Sequence, residues 1–255
     1  MSATLPPELE RLARIALAAG AVVMRHYEAG AAARLKADAS PVTDADEEAE
    51  QVILAGLAAA FPGIPVVAEE EAAAGRVAEA GAHFFLVDPL DGTKEFLRGT
   101  GGEFTVNIGE IRDGVPVRGV VFAPALGRLF VGSLADGAFA QDGDGTRRLA
   151  ARLPPADGLV AVSSKSHPDA KTAALLESLT IKAHRTAGSS LKFCLVATGE
   201  ADIYPRAGRT MEWDTAAGHA VLLAAGGNVT RWDGTPFTYG KPGFENGAFI
   251  AKGRR

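Results

Sequence analysis

Apolar residues near the start of the chain recur at helical spacing. Leu9, Leu12, Ile15, Ala16, Ala19, Val22 and Val23 fall on one stripe and predict an amphipathic first helix. A second helix is predicted from near Thr43 to Phe61, where Pro62-Gly63 stops it. The run Pro65 to Ala68 predicts a short strand with Glu69 and Glu70 at its end, and Phe84 to Val87 a buried strand feeding a turn at Asp88. Strand-like runs then follow between turn signals: Phe104 to Ile111, Val117 to Phe122, Arg128 to Ser133 and Gly137 to Gln141. They predict an antiparallel meander. The Ala-, Pro- and Asp-rich stretch Leu149 to Gly158 marks a boundary, so two lobes are expected, residues 1–150 and 151–255. In the second, strands are predicted at Leu159 to Ser163 and Ala201 to Tyr204, and helices at Pro168 to Leu179, Ser190 to Thr198 and Thr215 to Ala225. Two α/β layers stacked in one globule fit this order.

Composition narrows the function classes. The chain has 255 residues, 47% hydrophobic and 22% charged, with a net charge of −5. That balance gives no basic field for nucleic acid, so no nucleic-acid partner is expected. Cys194 is the single cysteine and sits in an apolar run, which excludes an internal disulfide and a thiolate metal site. A reducing, cytoplasmic compartment is the simplest expectation. The apolar stretch Ile15 to Met24 is too short to span a bilayer, and Glu8 and Glu10 precede it, so neither a leader nor an integral membrane segment is expected.

The candidate chemistry centres on Asp88-Pro89-Leu90-Asp91-Gly92-Thr93. An apolar strand holds Asp88, Pro89 restricts the backbone, and Gly92 permits a close backbone approach. Thr93 opens a helical turn whose free N–H groups favour an anion. The segment suits a cation with a phosphate; it also suits an Asp-rich surface turn with Thr93 as a cap. Asp46 has two readings as well, one being a capping box begun by Thr43. Asp214 can be the N-cap of the last predicted helix. With no pair of histidines or cysteines at ligand spacing, zinc is disfavoured. Carboxylates select a hard cation, and a phosphate substrate favours magnesium over calcium. The tract Asp142-Gly143-Asp144-Gly145 lacks the later Glu of a calcium loop and reads as a hairpin turn.

Four segments, Val42-Thr43-Asp44-Ala45-Asp46, Ala68-Glu69-Glu70, Leu86 to Phe96 and Trp213 to Gly218, resemble the motifs of the inositol monophosphatase superfamily, in order. Lys94-Glu95-Phe96, Glu103 to Ile108, Gly188 to Cys194 and Tyr204-Pro205-Arg206 make the chain similar to its 3'(2'),5'-bisphosphate nucleotidases of the CysQ type. The resemblance implies a layered αβαβα sandwich, an α/β (α+β) fold. It implies two or three Mg2+ held by Glu69, Asp88, Asp91, Asp214 and the Leu90 carbonyl. Asp46 would orient Thr93, and Thr93 with Glu69 would activate the attacking water. The implied reaction removes the 3'-phosphate of adenosine 3',5'-bisphosphate, giving AMP and clearing a by-product of sulfate assimilation. Peripheral association with the inner membrane is a further implication.

A substrate with a second phosphate needs a cationic pocket, for which Lys165, His167, Lys192 and Arg206 are candidates, with Gly188, Ser189 and Ser190 offering amides. For the lone cations the alternative is solvated surface charge, and for the serines, helix capping. An inositol monophosphatase or sugar bisphosphatase would use the same metal site, and a non-catalytic metal-binding regulatory protein would keep only the fold. A dehalogenase-type phosphatase with an Asp nucleophile wants Asp-x-Asp, whereas Asp88 and Asp91 stand three apart. The sequence carries no signal of oligomeric state.

Overall fold

The computed structural model describes residues 3–30, 33–35, 41–99, 101–164 and 169–254. Helix α1 (Pro7–Ala29) buries every residue of the predicted stripe and ends at Gly30 in the left-handed region. A short ribbon, β1 (Arg34–Leu35) with β2 (Pro41–Val42), leads to α2 (Asp44–Ala60), whose N-cap is Thr43 and whose C-cap is Phe61. Then come β3 (Val66–Ala68), α3 (Glu69–Ala73), β4 (His83–Asp91) and α4 (Thr93–Leu97). The meander follows as β5 (Thr105–Arg112), β6 (Val115–Ala123), β7 (Arg128–Ser133), β8 (Gly137–Asp142) and β9 (Gly145–Leu149). Strands β3 to β9 form one seven-stranded sheet in chain order, antiparallel apart from the β3–β4 pair.

Residues 159–252 build a five-stranded sheet in the order β11-β10-β12-β16-β14. Its strands are β10 (Leu159–Ser164), β11 (Ile181–Ala187), β12 (Ile203–Arg206), β14 (Asn228–Arg231) and β16 (Phe249–Lys252). Three helices belong to this half: α5 (Ala170–Glu177), α6 (Leu191–Ala197) and α7 (Ala216–Ala224). A two-residue ribbon pairs β13 (Thr210–Met211) with β15 (Glu245–Asn246).

Alternation along β4 explains the layering. Phe85 and Val87 join α1 and α2 in one apolar cluster, while Phe84 and Leu86 join α6, α7 and the second sheet in another. A sheet covered on both faces needs apolar residues on both, which is why its strands read as continuous hydrophobic runs. A third cluster places Leu176 of α5 on the outer face of the second sheet, with Ala161, Ile203 and Ile250. The order of layers is thus α1/α2, seven-stranded sheet, α6/α7, five-stranded sheet, α5, the expected αβαβα sandwich. Helix α7 lies close on β5 and β6 because Gly109 and Gly119 face it. A Cβ on Gly119 would come within 2.5 Å of the Ala217 carbonyl oxygen.

Three expectations differ from the structure. Glu69 and Glu70 do not end a strand: they open helix α3. The run from Phe84 does not stop at Asp88 but stays in the sheet to Asp91. Strands β9, β11, β14 and β16 were not predicted, because each is short or lies at an exposed edge with little alternation. Asp142 pairs with Gly145 across the β8–β9 turn, so that tract is the predicted hairpin.

Candidate active site

Two residues three apart in a regular strand point to opposite faces. Asp88 and Asp91 escape this because the β4–β5 register shifts between them: Asp88 pairs with Asn107, and Asp91 with Thr105. Asn107 and Thr105 are two apart and share a face, so the extra residue in β4 turns both aspartates the same way. Pro89 lies inside the bulge, where a missing N–H costs little. The bulge is closed by the Leu90 N–H, which donates to Asp88 Oδ1 at 3.0 Å. Gly92 follows at φ 91, in the left-handed region, and starts α4 with Thr93 as its first residue.

Glu69 enters from the start of α3, and Asp214 from the turn before α7. Asp214 Oδ2 accepts the Met211 N–H at 2.8 Å and makes no cap hydrogen bond to α7. Glu69, Asp88 and Asp214 each bring a carboxylate oxygen within 4.8 Å of the others; among the described residues this is the group able to hold a metal ion. Asp91 lines the same cavity as Glu69 and Asp214, about 220 Å³ in volume.

Electrostatics shows what this donor set lacks. Burial, and then the charges of Glu69, Asp91 and Asp214, hold the Asp88 carboxyl well above the usual carboxylate range. Asp214 is raised likewise, by burial and then by Asp91 and Glu69. Asp91 is pushed up to about 6 by burial, against the pull of Lys192 and Arg206. Carboxylates converging at this distance can all ionise only with positive charge between them. The residues therefore fit a hard, oxygen-liganded cation.

Asp46 forms the predicted capping box and also contacts Thr93. Its Oδ2 accepts the Thr43 N–H and Oγ1–H, each at 2.7 Å, which forms the capping box of α2. Its Oδ1 lies 3.4 Å from Thr93 Oγ1, which also lies 3.3 Å from the Leu90 carbonyl oxygen. Both neighbours are acceptors and the hydroxyl has one proton, so it donates to one of them or shares the proton between the two. The hydroxyl oxygen keeps lone-pair capacity to accept a hydrogen bond from water.

The opposite wall comes from the second half of the chain. Gly188, Ser189, Lys192 and Arg206 line the cavity with Tyr204. Lys192 is only 2% exposed, and its ammonium donates to the carbonyls of Ser189 at 2.6 Å and Ala187 at 3.3 Å. Burial pushes its pKa down to about 8 although Asp91 opposes the shift. Ser189 stands at φ 42, and its carbonyl bond to Lys192 helps to hold that strained backbone.

Ser190 is the N-cap residue of α6, but its side chain makes no cap hydrogen bond. Ser190 Oγ donates to Asn107 Oδ1 at 2.5 Å, and Ser189 Oγ to the Glu103 carbonyl at 3.3 Å. Two of the expected anion-binding amides already have carboxylate partners. The Gly188 N–H donates to Glu103 Oε2 at 3.2 Å, and the Ser190 N–H lowers the pKa of Asp91 by bonding to it. Lys165 and His167 lie outside the described residues. Cys194 is fully buried, which raises its thiol pKa and suits packing alone.

Sequence reasoning missed Glu50, buried one turn beyond Asp46 on α2, and Asn107, which accepts from Thr105 on its own strand and from the distant Ser190. The i,i+4 spacing of Asp46 and Glu50 was the available signal for the first. Nothing local marked the second.

Comparison with known proteins places this geometry. The chain is 44% identical over 233 residues to the 3'(2'),5'-bisphosphate nucleotidase CysQ of Shigella flexneri, covering 91% of this chain and 93% of that one. It is 40% identical over 248 residues to the protein of the same name from Buchnera aphidicola, covering 95% and 92%. The crystal structure of CysQ from Bacteroides thetaiotaomicron superimposes with a TM-score of 0.80 at 35% identity, covering 97% of each chain. The inositol monophosphatase family model matches residues 7–253, almost the whole chain. The chain is a member of the inositol monophosphatase family.

Proposed function

We propose that this chain is a magnesium-dependent 3'(2'),5'-bisphosphate nucleotidase that removes the 3'-phosphate of adenosine 3',5'-bisphosphate, leaving AMP and phosphate. The observation that carries this reading is one cavity with two unlike walls: converging carboxylates on one side, Lys192 and Arg206 on the other. The names of the Shigella and Buchnera relatives support the substrate class.

In this reading Glu69, Asp88, Asp91, Asp214 and the Leu90 carbonyl hold two or three Mg2+. Bound magnesium would lower the pKa of the attacking water and offset charge on the phosphoryl group. The protein's own groups do the rest. Asp46 holds the Thr93 proton, so Thr93 Oγ1 presents a lone pair that orients the water. Glu69, half-buried at the start of α3, accepts the water's proton. Gly92 lets the backbone approach the scissile phosphate. Lys192 and Arg206 receive the phosphate that is not cleaved, with Lys165, His167 and the Ser189 amide, which lies between two amides already bonded to carboxylates, completing that subsite. The lobe of residues 1–150 supplies most metal ligands; the lobe of residues 151–255 supplies substrate contacts and Asp214. The reading includes a cytoplasmic location and a role in clearing a by-product of sulfate assimilation. Among the described residues no helix is long and apolar enough to cross a membrane.

A magnesium-dependent substrate panel tests this. Adenosine 3',5'-bisphosphate should turn over faster than inositol 1-phosphate or fructose 1,6-bisphosphate at matched concentrations, and EDTA should nearly abolish activity until magnesium is restored. Faster turnover of inositol 1-phosphate, or full activity after exhaustive chelation, would overturn the reading.

A further inference from the structure

Thr93 and Glu69, the two residues assigned to the attacking water, sit on different elements, yet one face of α2 touches both. Asp46 and Glu50 are four apart on that helix and share the face. Asp46 reaches Thr93. Glu50, 1% exposed, reaches α3: its Oε2 accepts the Glu70 N–H at 2.8 Å and its Oε1 the Glu71 N–H at 3.0 Å. Those amides lie in the first turn of α3, where no intrahelical acceptor exists. The local N-cap is Ala68, which has no side chain to offer them. Glu50 therefore caps α3 from another helix.

This is a costly way to cap a helix. Burial pushes the Glu50 carboxyl up to about 7, and the charges of Glu71 and Glu69 add to the shift. What the arrangement supplies is orientation. Helix α3 has only five residues, too few to sustain itself. Two parallel hydrogen bonds to one carboxylate fix both its place and its rotation. Its first residue is Glu69, whose side-chain direction follows from that rotation.

We propose that Glu50 is a positioning residue that holds the first turn of α3 so that the Glu69 carboxylate meets those of Asp88 and Asp214. The inference rests on the reading of Glu69 as a metal ligand. Helix α2 then sets both halves of the water site, Thr93 through Asp46 and Glu69 through Glu50.

The test uses Mn2+ binding to the metal-free protein by calorimetry, alongside magnesium-dependent turnover. Glu50→Gln keeps the volume but turns an NH2 group toward one amide. It should weaken Mn2+ binding by about 10- to 100-fold, as losses around a metal site do. Glu50→Met, which fills the space with no oxygen acceptor, serves the same purpose if the first variant fails to fold. In a Glu69→Gln background, Glu50→Gln should cause no additional loss, because its effect passes through Glu69. Leu12→Ala, a core truncation on α1, should lower the melting temperature while leaving Mn2+ affinity intact.

Wild-type Mn2+ affinity in both Glu50 variants overturns the proposal, as do additive losses in the double variant or an equal loss in Leu12→Ala. If Glu69→Gln itself binds Mn2+ like wild type, the reading of the metal centre fails and this inference with it. That outcome is distinct from a failure of Glu50 alone.

Discussion

The carboxyl of Asp91, pushed up to about 6 by burial despite Lys192 and Arg206, ties the site to pH. Its folded value lies above the unfolded 3.8, so between the two the folded metal-free protein keeps a proton that the unfolded chain releases. That contribution favours folding at low pH and is lost as pH rises through the raised value. A cation competes for the same oxygens, so Mg2+ affinity should fall from pH 7 to pH 5, with protons released on binding. Calorimetry in two buffers of different ionisation heat measures both; a pH-independent affinity would refute the argument. Asp88→Asn should lower turnover more than a hundredfold, exceeding the 10- to 100-fold typical of outer partners around a metal. The same variant should leave the metal-free melting temperature equal or higher, since it takes one acid out of a buried group that repels itself. The sequence displayed these acids by motif, but not the state of Lys192. Its carbonyl bonds depend on the left-handed backbone of Ser189, and no residue type announces that.

Helix α2 was legible nearly to the residue, because Thr43 and Pro62-Gly63 punctuate it chemically. Its capping box and the face it turns to the carboxylate cavity are one structure, since a single carboxylate, Asp46, serves Thr43 and Thr93 with different oxygens. Thr43→Ala should cost about 1 kcal/mol of stability, the usual value of a cap. It should also reduce turnover at temperatures where the protein stays folded, because Asp46 is freed to rotate. Thr43→Ser should restore both, and normal turnover in Thr43→Ala would show that the cap does not govern Asp46. Helix α3 departs from the strand-end expectation: Glu and Ala are strong helix formers, but β3 runs straight into them with no capping side chain to mark the change. Strand β11 was missed for a physical reason: Lys182, His184 and Arg185 all lie on an exposed parallel edge. Charge there discourages pairing with another chain and hides the strand from pattern reading.

At the scale of the molecule, the site depends on two sheets meeting through α6 and α7. The Ser190 N–H from the second half bonds Asp91 of the first, and Asp214 arrives immediately before α7. The seat of α7 is made by Gly109 and Gly119, where added Cβ atoms would meet helix backbone at 2.9 Å and 2.5 Å. Gly119→Ala should destabilise the protein by about 1–3 kcal/mol, as overpacking does. By lifting α7 it should also weaken Mn2+ binding, although Gly119 touches no ligand. A variant melting like wild type in chemical denaturation would show that the layers can slide apart without strain. The layered order itself was not written in any local pattern. Glycine inside an apolar strand hinted at close backbone approach, but not at which helix approaches.

The bulge between Asp88 and Asp91 makes the metal centre a matter of odd and even. Drawing β4 straight against β5 with every residue kept would leave Asp88, Asp91, Glu69 and Asp214 all in the chain, with no charge altered. The plain two-step rhythm would then run through Leu90 and send Asp91, three residues on, to the face that packs on α1 and α2. Such a protein would hold every expected acid and still assemble no pair at the strand end. In this fold a single shift of register, rather than any one functional group, decides whether the centre can exist.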